Sequence, residues 1–151
     1  MELSKRAWRI AVVVSLLGPA LPAWSTEVSV CTDSGPFTIE LFDERAPQHV
    51  TNFLSYVEHG FYSGTVFHRV VAGFVVQGGG YDRMLRKRQT REAVPNESRN
   101  GLSNTRGTVA AARTADPNSA TSQFYINLAD NTRLDGTDAD WGYTVFGRVV
   151  A

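Results

Sequence analysis

No disulfide can form within this chain, because Cys31 is its only cysteine. Its place in the alternating run VSVCT reads as a buried strand position, and no base stands near it in sequence to activate a thiol. An excess of one charge is also lacking, with 15 Lys+Arg against 15 Asp+Glu. That balance excludes the basic face by which nucleic-acid binders hold phosphate. The one dense basic stretch, RMLRKRQTR at 83–91, is followed by Glu92 and Glu97 and reads as a solvated loop. The apolar run IAVVVSLL is too short to span a bilayer, so no stable membrane anchor is expected. His49 and His59 lie ten positions apart, not at the i, i+4 spacing of a metal site, and His68 has no ligand pattern around it. A Ser elbow, a Cys-x-x-Cys pair and a phosphate-binding glycine loop are missing too. Neither metal nor cofactor is expected.

What is there begins with a leader. Lys5, Arg6 and Arg9 precede the apolar run, and Ala23-Trp24-Ser25 offers a small-x-small cleavage site, so residues 1–25 read as a signal peptide. Residues 26–151 then form one domain carrying 12 Lys+Arg and 14 Asp+Glu, a net charge of −2. Export by a cleaved signal implies an oxidising compartment beyond the cytoplasm.

Glu27–Thr32 and Phe37–Phe42 alternate in period two around Asp33-Ser34-Gly35-Pro36, which predicts a hairpin. Ala46–His59 reads as a helix with Pro47 in its first turn, Gly60 beyond its end, and Val50, Phe53, Leu54 and Val57 on one stripe. Short strands follow at Thr65–Val71, Phe74–Gln77, Thr108–Ala112, Ser122–Leu128 and Thr144–Val150. The pattern predicts a mainly β barrel or sandwich with a packed helix.

Three strands carry polar residues that core packing does not explain. Alternation puts Phe67, Arg69 and Val71 on one face, Val75 beside Gln77 on the next strand, and Gln123 beside Tyr125 on another. A guanidinium fixed among apolar groups needs acceptors, and a glutamine amide on the adjacent strand can supply one. Pairing with a carboxylate would explain Arg69 equally well. Gly78, Gly79 and Gly80 read as positions where backbone passes close to another element.

The motifs FHRVVAGFVVQGGG, NGLSNTRGTVAAARTADPNSATSQFYI, LDG and YTVFGRVV resemble, in order, those of the cyclophilins, the peptidyl-prolyl cis-trans isomerases. The likeness runs from about Val28 to Val150, and the leader, the Arg-Thr-Ala-Asp loop and Tyr143 are most similar to the bacterial periplasmic branch. The resemblance implies an antiparallel eight-stranded β-barrel with capping helices and an active site on its outer surface. It implies that Arg69 is catalytic, that Gln77 orients it, and that Phe74 and Val75 line a proline pocket. Ala112, Arg113, Gln123, Tyr125, Leu134 and Tyr143 fall at the other substrate-contacting positions, and His68 borders the groove. The implied partners are proline-containing, unfolded or partly folded exported polypeptides, met by a monomer.

Against the family pattern the chain stops after FGRVV, so a final helix and a strand pairing with the first are expected to be missing, leaving an open seam. Arg133 stands where some eukaryotic relatives carry a tryptophan that contacts cyclosporin, and Tyr143 where they carry histidine, so weak cyclosporin inhibition is expected. A holdase that binds proline segments without catalysis, or an inactive fragment, is the competing expectation.

Overall fold

A computed structural model of the protein describes residues 25–151, so the assignment of a signal peptide falls, apart from Ser25, outside the described residues. Strands β1 (Glu27–Thr32) and β2 (Gly35–Leu41) form the predicted hairpin, whose turn is tied by the Thr32 hydroxyl donating to the Gly35 carbonyl at 2.7 Å. Helix α1 (Pro47–Glu58) follows. Strands β3 (Arg69–Val71), β4 (Val75–Gly78), β5 (Thr108–Ala111), β6 (Phe124–Asn127) and β7 (Val145–Val149) complete one antiparallel sheet in the order β1-β2-β7-β5-β6-β4-β3. Strands β1 and β3 are its two edges. Among the described residues the sheet is thus a curled half-barrel of seven strands with one α-helix.

Helix α1 has Pro47 in its first turn but no side-chain cap from Ala46. Its free amides are satisfied from far along the chain, where the Glu97 carboxylate accepts from the Gln48 and His49 N–H groups at 3.1 and 3.0 Å. The long connection from Gly78 to Gly107 therefore fixes the helix it passes. Val50, Phe53 and Tyr56 are buried on the helix, and Leu54 and Val57 pack beside them.

Two apolar clusters lie on opposite faces of the sheet. The inner one joins α1 to Ile39, Leu41, Val109, Phe124 and Phe146. Phe53 is its hub, with ring centroids 5.3 Å from Tyr62, 5.6 Å from Phe124 and 5.3 Å from Phe146. The outer one joins Val75, Ala110, Tyr125 and Val145 to Phe42, Phe74, Leu102, Ala112, Leu134 and Tyr143.

Two expectations are corrected. Cys31 is exposed, because alternation along β1 turns Val28 and Val30 inward and leaves Glu27, Ser29 and Cys31 outside. Phe67 does not share a face with Arg69: it joins the inner cluster, 6.1 Å from the Phe124 ring, while Arg69 is exposed. The strand starts only at Arg69, so period two does not extend back to Phe67. The glycine run does bring backbones together. A Cβ on Gly79, at φ +81°, would lie 2.8 Å from the Ser122 carbonyl oxygen.

Candidate active site

Strand register builds the polar part of the site. Arg69 stands directly opposite Gln77 in the β3–β4 pair, and Gln77 opposite Tyr125 in the β4–β6 pair. The Arg69 Nη1 donates to Gln77 Oε1 at 3.4 Å, and Gln77 Nε2 donates to Gln123 Oε1 at 3.0 Å. A chain of two amides thus ends on one guanidinium. Arg69 has no carboxylate partner among the described residues, and its Cζ sits 5.6 Å from the centroid of the Phe74 ring. The simple ion-pair explanation of this arginine is therefore wrong.

The outer apolar cluster supplies the rest. Phe74, Val75, Ala112, Tyr125, Leu134 and Tyr143, six of the eleven residues expected at the site, pack together in it. Val75 and Tyr125 are buried as its floor, and the other four remain half-exposed as a surface on which an apolar ring can rest. Arg113 closes one side, its Cζ 4.5 Å from the Tyr143 ring centroid. Its donors are occupied by the carbonyls of Gly142, Thr114 and Trp141 at 3.2, 2.9 and 2.7 Å. Arg113 consequently shapes the rim. His68 stands apart, with its ring 4.5 Å from Tyr81 and its Nδ1 buried without a partner. Burial first, with the Arg69 charge assisting, holds its pKa below the ordinary 6.5, so the ring is neutral at pH 7.

Beneath the floor runs a polar network that sequence reasoning missed. The fully buried Asn104 accepts from the Tyr125 hydroxyl at 2.8 Å and from Asn127 Nδ2 at 3.2 Å, and donates to Asp135 at 2.8 Å. Asn131, also buried, donates to Asn127 at 2.8 Å and to the Phe74 carbonyl at 2.9 Å. A 3-10 turn, Thr132–Leu134, begins right after Asn131 and carries Arg133 over Phe74, Cζ to centroid 4.8 Å. The one available signal was Asn127, a polar residue sharing the strand face of Tyr125.

Cavities of about 770 Å³ between β1 and β4 and about 500 Å³ beside the C-terminal end of α1 are lined by other residues. The outer site is a half-exposed apolar surface bordered by Arg69 and Arg113, open to a polypeptide lying across it.

The family model for cyclophilin type peptidyl-prolyl cis-trans isomerases matches residues 27–151. The chain is a cyclophilin. It is 48% identical to peptidyl-prolyl cis-trans isomerase A of Dickeya dadantii, over 98% of this chain and 80% of that protein. It is also 48% identical to isomerase B of Escherichia coli, over 82% of this chain and 77% of that protein. A crystal structure of a Cryptosporidium parvum cyclophilin, solved in the presence of the dipeptide Ala-Pro, matches with a TM-score of 0.69 at 28% identity, covering 83% of this chain and 79% of the other. This cyclophilin is accordingly a peptidyl-prolyl cis-trans isomerase by family, and its curled seven-stranded sheet matches that of solved cyclophilins.

Proposed function

We propose that this cyclophilin accelerates rotation about Xaa-Pro bonds in exported polypeptides, with Arg69 as the catalytic group. Rotation about a peptide C–N bond meets a barrier of roughly 18–20 kcal/mol because amide resonance must be broken. In the twisted state the prolyl nitrogen recovers its lone pair and accepts a hydrogen bond that the planar amide cannot. A donor aimed at that nitrogen stabilises the transition state and not the ground state, which is the condition for a faster chemical step. No bond is cleaved and no proton need move.

The observation that carries this reading is the Arg69 guanidinium, without a carboxylate partner among the described residues, steadied by Gln77 and set beside Phe74 at the edge of an apolar patch. Phe74, Leu134 and Tyr143 receive the proline ring, Val75 and Tyr125 support them from below, and Ala112 and Arg113 bound the groove. Gln123 acts through Gln77, and His68 flanks Arg69 as a neutral neighbour. The site works on a monomer and in the periplasm, reached through cleavage before Thr26. Isomer exchange measured by NMR on a short Ala-Pro peptide tests the proposal. The full chain should speed exchange, and Arg69→Ala should lose about 10²–10³ of that acceleration. Full activity in a folded Arg69→Ala protein would refute the assignment, and peptide binding without faster exchange would leave a holdase instead.

A further inference from the structure

Arg133 is a second guanidinium on the same ring, and the catalytic proposal gives it nothing to do. Its Cζ lies 4.8 Å from the Phe74 centroid and that of Arg69 lies 5.6 Å away, so the two charges sit within about 10 Å of each other across one half-buried ring. Neither is paired with a carboxylate among the described residues. The acids nearest Arg133 in sequence are committed elsewhere. Asp130 accepts from the Arg106 amide at 2.9 Å, and Asp135 accepts from Ser103 and from Asn104 at 2.5 and 2.7 Å.

The position of Arg133 is also built. Asn131, whose side chain is tied to Asn127 and to the Phe74 carbonyl, leads directly into the 3-10 turn. The Leu134 N–H donates back to the Asn131 carbonyl at 2.8 Å, and the Tyr143 N–H to the Leu134 carbonyl at 2.9 Å. One buried amide therefore fixes both the ring and the turn whose arginine covers it. Unlike Arg113, Arg133 makes no hydrogen bond among the described residues and keeps its donors for something that arrives.

We infer that Arg133 is a specificity-determining residue that makes this groove prefer Xaa-Pro segments with a carboxylate flanking the proline. The inference rests on the isomerase reading of the groove. Phe74 takes the ring of the proline, and the free edge of the Arg133 guanidinium takes an Asp or Glu side chain beside it. Since both charges are exposed, the attraction is modest and screened by salt.

The test uses the full chain and four short peptides, with Glu or its neutral counterpart Gln immediately before or immediately after a single proline. Isomer exchange by NMR gives kcat/KM for each. At low salt the Glu peptide should exceed its Gln counterpart by about three- to fivefold at one of the two positions, and the ratio should approach one at 1 M salt. Arg133→Gln should bring the low-salt ratio down by at least half, whereas Arg83→Gln, a charge removed from the groove, should leave it in place. Gln peptides turned over with a Glu:Gln ratio of one, or a ratio that Arg133→Gln does not change, overturn the inference while the isomerase reading stands. Exchange accelerated for no peptide would instead bring down the isomerase reading.

Discussion

The two faces of the sheet are made by the same strands and held by different forces. Along β6, Phe124 and Ile126 turn inward to the rings around Phe53, while Tyr125 and Asn127 turn outward to the groove. The inner face is stabilised by volume, with rings packed edge to face and covered by α1. The outer face is an apolar patch resting on hydrogen bonds, donated by Tyr125 to Asn104 and by Asn131 to the Phe74 carbonyl. Packing tolerates small displacements more easily than directional bonds do. On the proposed mechanism, a surface that meets a twisted amide is better built on the second.

If that division holds, substitutions on the two faces should separate stability from rate. Phe53→Ala empties the centre of the inner cluster and should lower unfolding free energy by about 3–5 kcal/mol, read from denaturant titration. The molecules that remain folded should turn over peptide as before. Arg69→Ala does the reverse. It should remove about 2.7–4 kcal/mol of transition-state stabilisation, the energy of the rate loss given above, while denaturant midpoints barely move, because an exposed side chain is deleted. A Phe53→Ala protein with damaged kcat/KM in its folded fraction would break the comparison.

Asn104→Ala is the substitution expected to cross it. The change strands the Tyr125 hydroxyl in a buried site, takes one of the two acceptors of the Asn127 Nδ2 and leaves only Thr108, and removes a donor from Asp135. About 1–3 kcal/mol is lost for each buried group left unpaired. Stability and kcat/KM should fall together, since the floor under Phe74 and Leu134 shifts. Unaltered kcat/KM in a destabilised Asn104→Ala protein would reduce the network to a structural role.

The face that packs by volume was the easier one to read from sequence. Val50, Phe53 and Val57 announce α1 by their spacing, and Phe124 and Ile126 announce β6 by alternation, because apolar periodicity is what burial imposes. The pairing of Arg69 with Gln77 was legible for the same reason. Two residues on adjacent strands shared a face and needed each other. Alternation misled where a strand was shorter than its apolar run, which put Phe67 on the wrong side; on the edge strand β1 it held, and Cys31 was misplaced by its residue type, since it shares the outer face with Ser29. The asparagine network was not legible. Asn104 and Asn131 lie outside strands, where polar residues ordinarily mark solvent, and only the folded chain gathers them under Tyr125 and Phe74.

The smallest effect concerns one histidine from each side. His49, at the start of α1, is buried with Nδ1 donating to Glu97 at 2.7 Å. Burial lowers its pKa, and the Glu97 carboxylate offsets this only in part. His68, beside the groove, is lowered too, but it is only partly buried and solvent weakens its contribution. The unfolded chain protonates these rings near 6.5 while the folded chain does so at lower pH. Between those values the unfolded state binds more protons, so stability is complete above about 6.5 and declines as pH falls through that window. Denaturant midpoints at pH 7.5 and 5.5, the latter still above the usual carboxylate range, should show the loss. His49→Gln should remove most of it, and His68→Gln less. The sign decides between burial and the ion pair: a midpoint that rises on acidification would mean that Glu97 governs His49, and that the helix start is held by charge rather than by packing.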